Sequence, residues 1–172
     1  MLFIEETGQT SIDLPRLKSL GEAALLLADK RGDFSVSLNF VTAARIRALN
    51  KRFRGIDCET DVLSFPMLDL KPSDALKPLD AGSARGTGIG RGAAGGMDFS
   101  LERDGDGNVF LGDVVLCSDV AKRQAVEYGH SEQRETEYLF IHALLHLFGF
   151  DHAGDADKRD MRGVEKKVFG EE

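Results

Sequence analysis

Residues 142–152 read His-Ala-Leu-Leu-His-Leu-Phe-Gly-Phe-Asp-His, and the rest of the chain is arranged around this stretch. His142 and His146 are four positions apart. On a helix they share one face, about 6 Å apart along the axis. Gly149 supplies a residue that can leave the helix with φ > 0. His152 follows three positions later, close enough for a reversing chain to carry it back toward the other two. A lone histidine in an apolar helix is usually a packed, hydrogen-bonded core residue. Here three of the chain's four histidines fall at helix-plus-turn spacing. Three neutral imidazoles converging from one side suit a single Zn²⁺ ion with its fourth position open, which is a hydrolytic rather than a structural arrangement.

The spacing equals that of the metzincin proteases, H-E-x-x-H-x-x-G-x-x-H, with one departure. Their catalytic glutamate is replaced by Ala143. A methyl group cannot take a proton from water, so the chain has a zincin-like metal-binding helix without the protease's general base.

Two further blocks stand out. Residues 49–66 read Leu-Asn-Lys-Arg-Phe-Arg-Gly-Ile-Asp-Cys-Glu-Thr-Asp-Val-Leu-Ser-Phe-Pro, and residues 111–130 run from Leu-Gly-Asp-Val-Val-Leu to Glu-Tyr-Gly-His. Together with the histidine block they resemble the YbeY endoribonuclease family. Its patterns are H-G-x-L-H-L-x-G-[YF]-D-H, L-N-x-x-[YF]-R-G-x-x-x-x-T-D-V-L-S-F-P, and an L-G-D-I-x-I strand with a following helix. Ala143 stands where the family usually has another small residue, glycine. The resemblance covers most of the chain outside residues 67–107. It implies a zinc-dependent, single-strand-specific endoribonuclease acting in 16S rRNA 3′-end maturation and ribosome quality control. Its partners would be single-stranded RNA, rRNA and the ribosomal small subunit. It also implies that Arg54, of the Arg-Gly pair, meets the charge that develops on the phosphoryl group, which a guanidinium can bind at two points.

At 172 residues, 42% hydrophobic and 30% charged, the chain has the balance of one ordinary folded domain spanning residues 1–172. No apolar run approaches the roughly 18 residues of a membrane span. The opening Met-Leu-Phe-Ile-Glu-Glu has neither a basic region nor a signal-length apolar stretch. Cys58 and Cys117 form no CxxC pair. The expectation is a cytoplasmic protein with reduced thiols and no membrane partner. A net charge of −7 counts against a broad nucleic-acid surface but not against a local one. Between Asp33 and Asp57 no acidic residue interrupts Arg45, Arg47, Lys51, Arg52 and Arg54. On a helix, Ile46, Leu49 and Phe53 would form its buried stripe. Arg47, Lys51 and Arg54 would form a neighbouring cationic one, either a solvated face or one wall of an RNA groove.

Periodicity and turn chemistry predict strands over 2–5, 34–40, 61–65 and 108–117, and helices over 13–28, 42–53, 118–128, 131–148 and 155–169. The expected fold class is α+β, a small mixed four-stranded sheet packed with about five helices. Asp13 and Ser131 are candidate N-caps, and Met161, Val164 and Val168 the inward stripe of the last helix. Within 82–96 lie seven glycines. Gly90, Gly92 and Gly95 satisfy G-x-G-x-x-G, but no strand precedes them and no helix follows, so a dinucleotide site is rejected. The segment at about 75–107 reads as a flexible Gly-rich insertion. Replacing 82–96 by a short Gly-Ser linker should leave the thermal midpoint nearly unchanged, and a large drop in a melting experiment would refute that.

Of the remaining polar residues, Asp151 could accept an N–H from a ligand imidazole or cap the turn. Asp61 and Ser64 fit a strand start and an ordinary strand position. Glu135, two turns before His142, is too far to ligate the same ion, and His130 reads as a loop histidine. Two other functions fit the histidine block alone: a zinc metallopeptidase with its base elsewhere, and a non-catalytic ribosome-assembly factor with a structural metal.

Overall fold

Strict alternation in Phe-Ser-Val-Ser-Leu-Asn-Phe produces the central strand of the sheet. The computed structural model describes residues 1–8, 11–70, 104–150 and 155–171, with side chains in the last segment described from residue 158. Its elements are β1 (Leu2–Thr7), α1 (Leu14–Leu27), β2 (Phe34–Val41), α2 (Ala43–Arg54), β3 (Val62–Pro66), β4 (Val109–Cys117), α3 (Ser118–Tyr128), α4 (Glu132–Leu147) and α5 (Asp155–Val168). The sheet order is β1-β2-β4-β3. β1 and β4 run parallel to β2, while β3 pairs antiparallel with β4 at the edge. The α+β class, the mixed sheet and the five helices agree with the reading of the sequence.

Alternation along β4 divides the interior. Val114 and Leu116 join the main core with Leu2, Phe34, Val36 and Leu38 of the neighbouring strands, closed by α1, α4 and α5. Val115 and Cys117 point the other way, into a smaller cluster with Ile46 of α2, Leu63 of β3 and Val120 of α3. From Leu139 onward α4 is apolar on nearly every side, and Leu139, Phe140, Ile141, Leu144, Leu145 and Leu147 are all buried. A helix of that kind is stable only inside a protein. Its neighbours are α1, α3, α5, β3 and β4, so the side chains it carries are held from several directions.

The caps form as expected. The side chains of Asp13 and Ser131 accept from the backbone N–H groups of Arg16 and Arg134, and Thr42 does the same for Arg45. Met161 and Val164 face inward from α5 as read. In α2 one assignment is corrected. Ile46 is buried, but Phe53 is 57% exposed, and Asn50 takes the inward position with Ile46. The ring of Phe53 lies edge-on to Phe65 with centroids 5.1 Å apart. Phe65 is itself only half-buried, so the pair covers the rim of the sheet rather than its centre. The Asn50 amide donates to the Cys58 carbonyl at 3.0 Å and pins the loop that leads into β3.

Leu68 and Leu70 are buried in the main core, so the resemblance-free stretch beginning at 67 starts with packed residues. Residues 71–103, the bulk of the insertion read from glycine content, lie outside the described residues. The described residues resume at Asp104, in a turn inside the span assigned to that insertion. Asp104 Oδ1 accepts from the backbone of Asp106 and Asn108, and the Asn108 amide donates to Asp104 Oδ2 at 2.9 Å. These bonds, that from the Asn108 side chain foremost, hold the Asp104 carboxyl down at about 2, from an ordinary value of 3.8. A depressed folded-state value means that the turn's contribution to stability is full above about pH 4 and is lost as pH falls toward about 2. Carboxyl-carbon NMR should show Asp104 titrating well below the ordinary aspartate value, at about 2. A midpoint near the ordinary value would refute the assignment.

Candidate metal and phosphate site

α4 ends in a turn that does more than stop the helix. Gly149 takes φ +81°, its N–H donates to the His146 carbonyl at 2.9 Å, and the N–H of Phe150 reaches back to the Leu145 carbonyl at 3.2 Å. This double closure is the glycine-dependent C-terminal motif of helices. It turns the Phe150 carbonyl back over the last helical turn, where His146 Nδ1 meets it at 2.7 Å. His142 is held differently. Its Nδ1 lies 2.8 Å from Oε1 of Glu165, a buried carboxylate on α5. A carbonyl oxygen and a carboxylate oxygen accept, so each Nδ1 is placed to donate, and in the neutral imidazole each Nε2 then carries the lone pair.

Those two Nε2 atoms are 3.2 Å apart. Two lone pairs on a shared tetrahedral ion with Zn–N bonds of about 2.0–2.1 Å would stand roughly 3.3 Å apart. The arrangement therefore fits a divalent ion between the rings. Among the described residues no group of three or more His, Cys, Asp or Glu side chains is gathered to hold a metal. His142 and His146 make two ligands, and His152, the third read from the sequence, lies outside the described residues, as does Asp151.

The pair faces a cleft of about 580 Å³ whose opposite wall carries Arg54, Thr60, Asp61 and Ser64. Ala143 and Tyr138 complete the α4 side, so the position of the protease glutamate is a methyl on the cleft wall. Tyr138 stacks on His142 with centroids 6.0 Å apart, and burial pushes its hydroxyl above the ordinary range. Asp61 holds the start of β3, as read, and also lines the cleft. Its Oδ1 accepts from Val62 N–H at 2.7 Å and its Oδ2 from the Gln124 amide at 3.0 Å, which starts β3 and lines the cleft at once.

The cationic stripe of α2 separates into two parts. Arg47 and Lys51 both close on Asp57 at 2.8 Å. Lys51, and then Arg47, hold that carboxyl below its usual range. Arg54 follows them on the last turn, is exposed, and reaches the cleft that holds the histidines. Gly55 makes this possible. It adopts φ +73° as the left-handed cap, and the chain turns away immediately after Arg54. A Cβ there would meet no atom within 4 Å, so only conformation opposes a side chain. Gly55→Ala should lower stability by about 1 kcal/mol, read by urea denaturation. An unchanged midpoint would show that the left-handed turn is not required.

His130 and Glu135 stay apart from the cleft wall. His130 Nε2 lies 3.0 Å from Glu135 Oε2, and burial raises the Glu135 carboxyl despite the opposing effect of His130. Glu165 was missed in the sequence, although it stands in the inward stripe of α5, one position after Val164 and four after Met161.

The family model described as endoribonuclease YbeY matches residues 3–171. The chain belongs to that family. An endoribonuclease YbeY from Pelotomaculum thermopropionicum is 38% identical over 166 residues, covering 95% of this chain and 90% of its own. One from Clostridium botulinum strain Loch Maree is 35% identical over 154 residues, covering 90% and 84%. The solution structure of TM1509 from Thermotoga maritima superposes with a TM-score of 0.52 at 23% identity, over 99% of this chain and 90% of that one, which shows the shared fold.

Proposed function

We propose that the cleft between α4 and the α2–β3 loop is the active centre of a zinc-dependent, single-strand-specific endoribonuclease that matures the 16S rRNA 3′ end and serves ribosome quality control. Membership of the endoribonuclease YbeY family makes the chain a hydrolase of RNA phosphodiesters. The observation that carries the metal assignment is the approach of His142 and His146 Nε2 to 3.2 Å with both Nδ1 atoms committed elsewhere. His142, His146 and His152 would hold one Zn²⁺ ion. When bound, it supplies Lewis acidity toward a phosphoryl oxygen and lowers the pKa of water from ~15.7 toward ~7. Arg54 binds the scissile phosphate from the opposite wall and meets its growing charge with two donors. Ser64 and Thr60 offer hydroxyls on that same wall. Ala143 gives the α4 side no carboxylate in the protease position, which disfavours peptide hydrolysis.

A phosphate reaches a recessed cleft most readily on a flexible single strand, whose bases can splay apart. The rRNA and small-subunit partners and the cytoplasmic setting extend the same reading. Among the described residues no helix is long and apolar enough to cross a membrane. The test is metal content of the purified protein together with cleavage of end-labelled single-stranded and duplex RNA. Internal cuts in the single strand that vanish on chelation and return with Zn²⁺ are expected. Zinc-loaded protein that leaves the single strand intact would overturn the proposal.

A further inference from the structure

Glu165 occupies a position where the fold would gain from an apolar residue. It lies with Met161 and Val164 on the buried face of α5, and its side chain is only 7% exposed. Burying a carboxylate there is costly unless it finds a strong partner. The partner is His142 Nδ1 at 2.8 Å, 23 residues earlier in the chain. A neutral imidazole N–H alone is a modest donor for a buried charge. A cation on the far nitrogen of the same ring makes that N–H more acidic and tightens the bond, so carboxylate and metal stabilise each other through the ring.

We propose that Glu165 is a positioning residue of the metal centre, fixing His142 in the Nδ1–H tautomer and aiming its Nε2 lone pair into the cleft beside that of His146. The inference rests on the metal-centre reading above. The two ligands are then unlike. The Nδ1 of His146 meets a main-chain carbonyl, which no side-chain substitution removes, whereas the Nδ1 of His142 meets a carboxylate carried by another helix. Metal affinity is thereby tied to the docking of α5 on α4.

Co²⁺ affinity, by competition with a chromophoric chelator, and histidine tautomers, by long-range ¹⁵N NMR of the metal-free protein, test this in the full chain. Glu165→Ala should weaken Co²⁺ binding about tenfold to hundredfold and move His142 toward the Nε2–H tautomer. Glu165→Gln keeps an oxygen acceptor without the charge, so it should retain the Nδ1–H tautomer and lose roughly threefold to tenfold in affinity. Wild-type Co²⁺ affinity in either variant overturns the proposal, even if the metal-free thermal midpoint falls, because that pattern belongs to a packing role. Should Glu165→Ala fail to fold, the near-isosteric Gln variant decides alone. RNA cleavage is no readout here. A wild-type protein that binds Co²⁺ and gives this affinity pattern across its variants, yet cuts no RNA, counts against the endoribonuclease mechanism only, whereas a wild-type protein that binds no Co²⁺ overturns both.

Discussion

His142→Ala should purify with a trace of metal in place of about one equivalent per chain, because two remaining ligands cannot define a site for a divalent ion. His142 and His146 stand one turn apart on a helix buried on nearly every side, and their Nε2 atoms are 3.2 Å apart. Removing the His142 imidazole removes half of the described ligand pair and takes that partner from the buried Glu165, so some stability is lost with the metal. Inductively coupled plasma mass spectrometry of the dialysed protein reads the loss, and circular dichroism confirms that the fold persists. His146→Ala should behave alike, with the added loss of the contact to the Phe150 carbonyl. His130→Ala is the control. It pairs with Glu135 away from the cleft wall, and its metal content should match the unaltered protein. Full metal retention by His142→Ala would mean that the histidine pair is not the ligand set.

How much of this was legible beforehand depends on the range of each interaction. The histidine helix, its glycine stop and its serine cap follow from spacing and local hydrogen bonding, which act within a few residues, and they came out as read. So did the sheet, because strict alternation in β2 leaves no other face for Val36 and Leu38 to occupy. Phe53 was misplaced because helical periodicity states which residues share a face but not where the helix runs past its cover. The polar Asn50 sits inward since it has the Cys58 carbonyl to serve. The neutralisation of Arg47 and Lys51 by Asp57 is a contact around a turn, invisible to a count of charges along the helix. Glu165 is the hardest case. Its bond to His142 joins two helices across 23 residues, and only its place in an otherwise apolar stripe hinted that it was buried for a reason.

The separation of the α2 cations sharpens the expectation for Arg54. Because Asp57 occupies Arg47 and Lys51, the guanidinium left at the helix end beside the cleft is that of Arg54. Arg54 is exposed on the final turn, and Ile46 and Asn50 anchor the helix without it. Arg54→Ala should therefore change folding free energy by no more than about 0.5 kcal/mol. If the side chain meets charge that grows on the phosphoryl oxygens opposite the histidines, its loss should slow single-turnover RNA cleavage by roughly 10²–10³. Metal content should stay at the unaltered level, since Arg54 faces the pair without touching either acceptor that holds it. Arg54→Lys should recover only part of the rate, because an ammonium restores charge but not the two-point contact. A lost rate that lysine restores in full would point to simple electrostatic attraction of RNA, and it would also show strong salt dependence. Cleavage by Arg54→Ala at the unaltered rate, or a variant that cannot fold, would remove Arg54 from the chemistry.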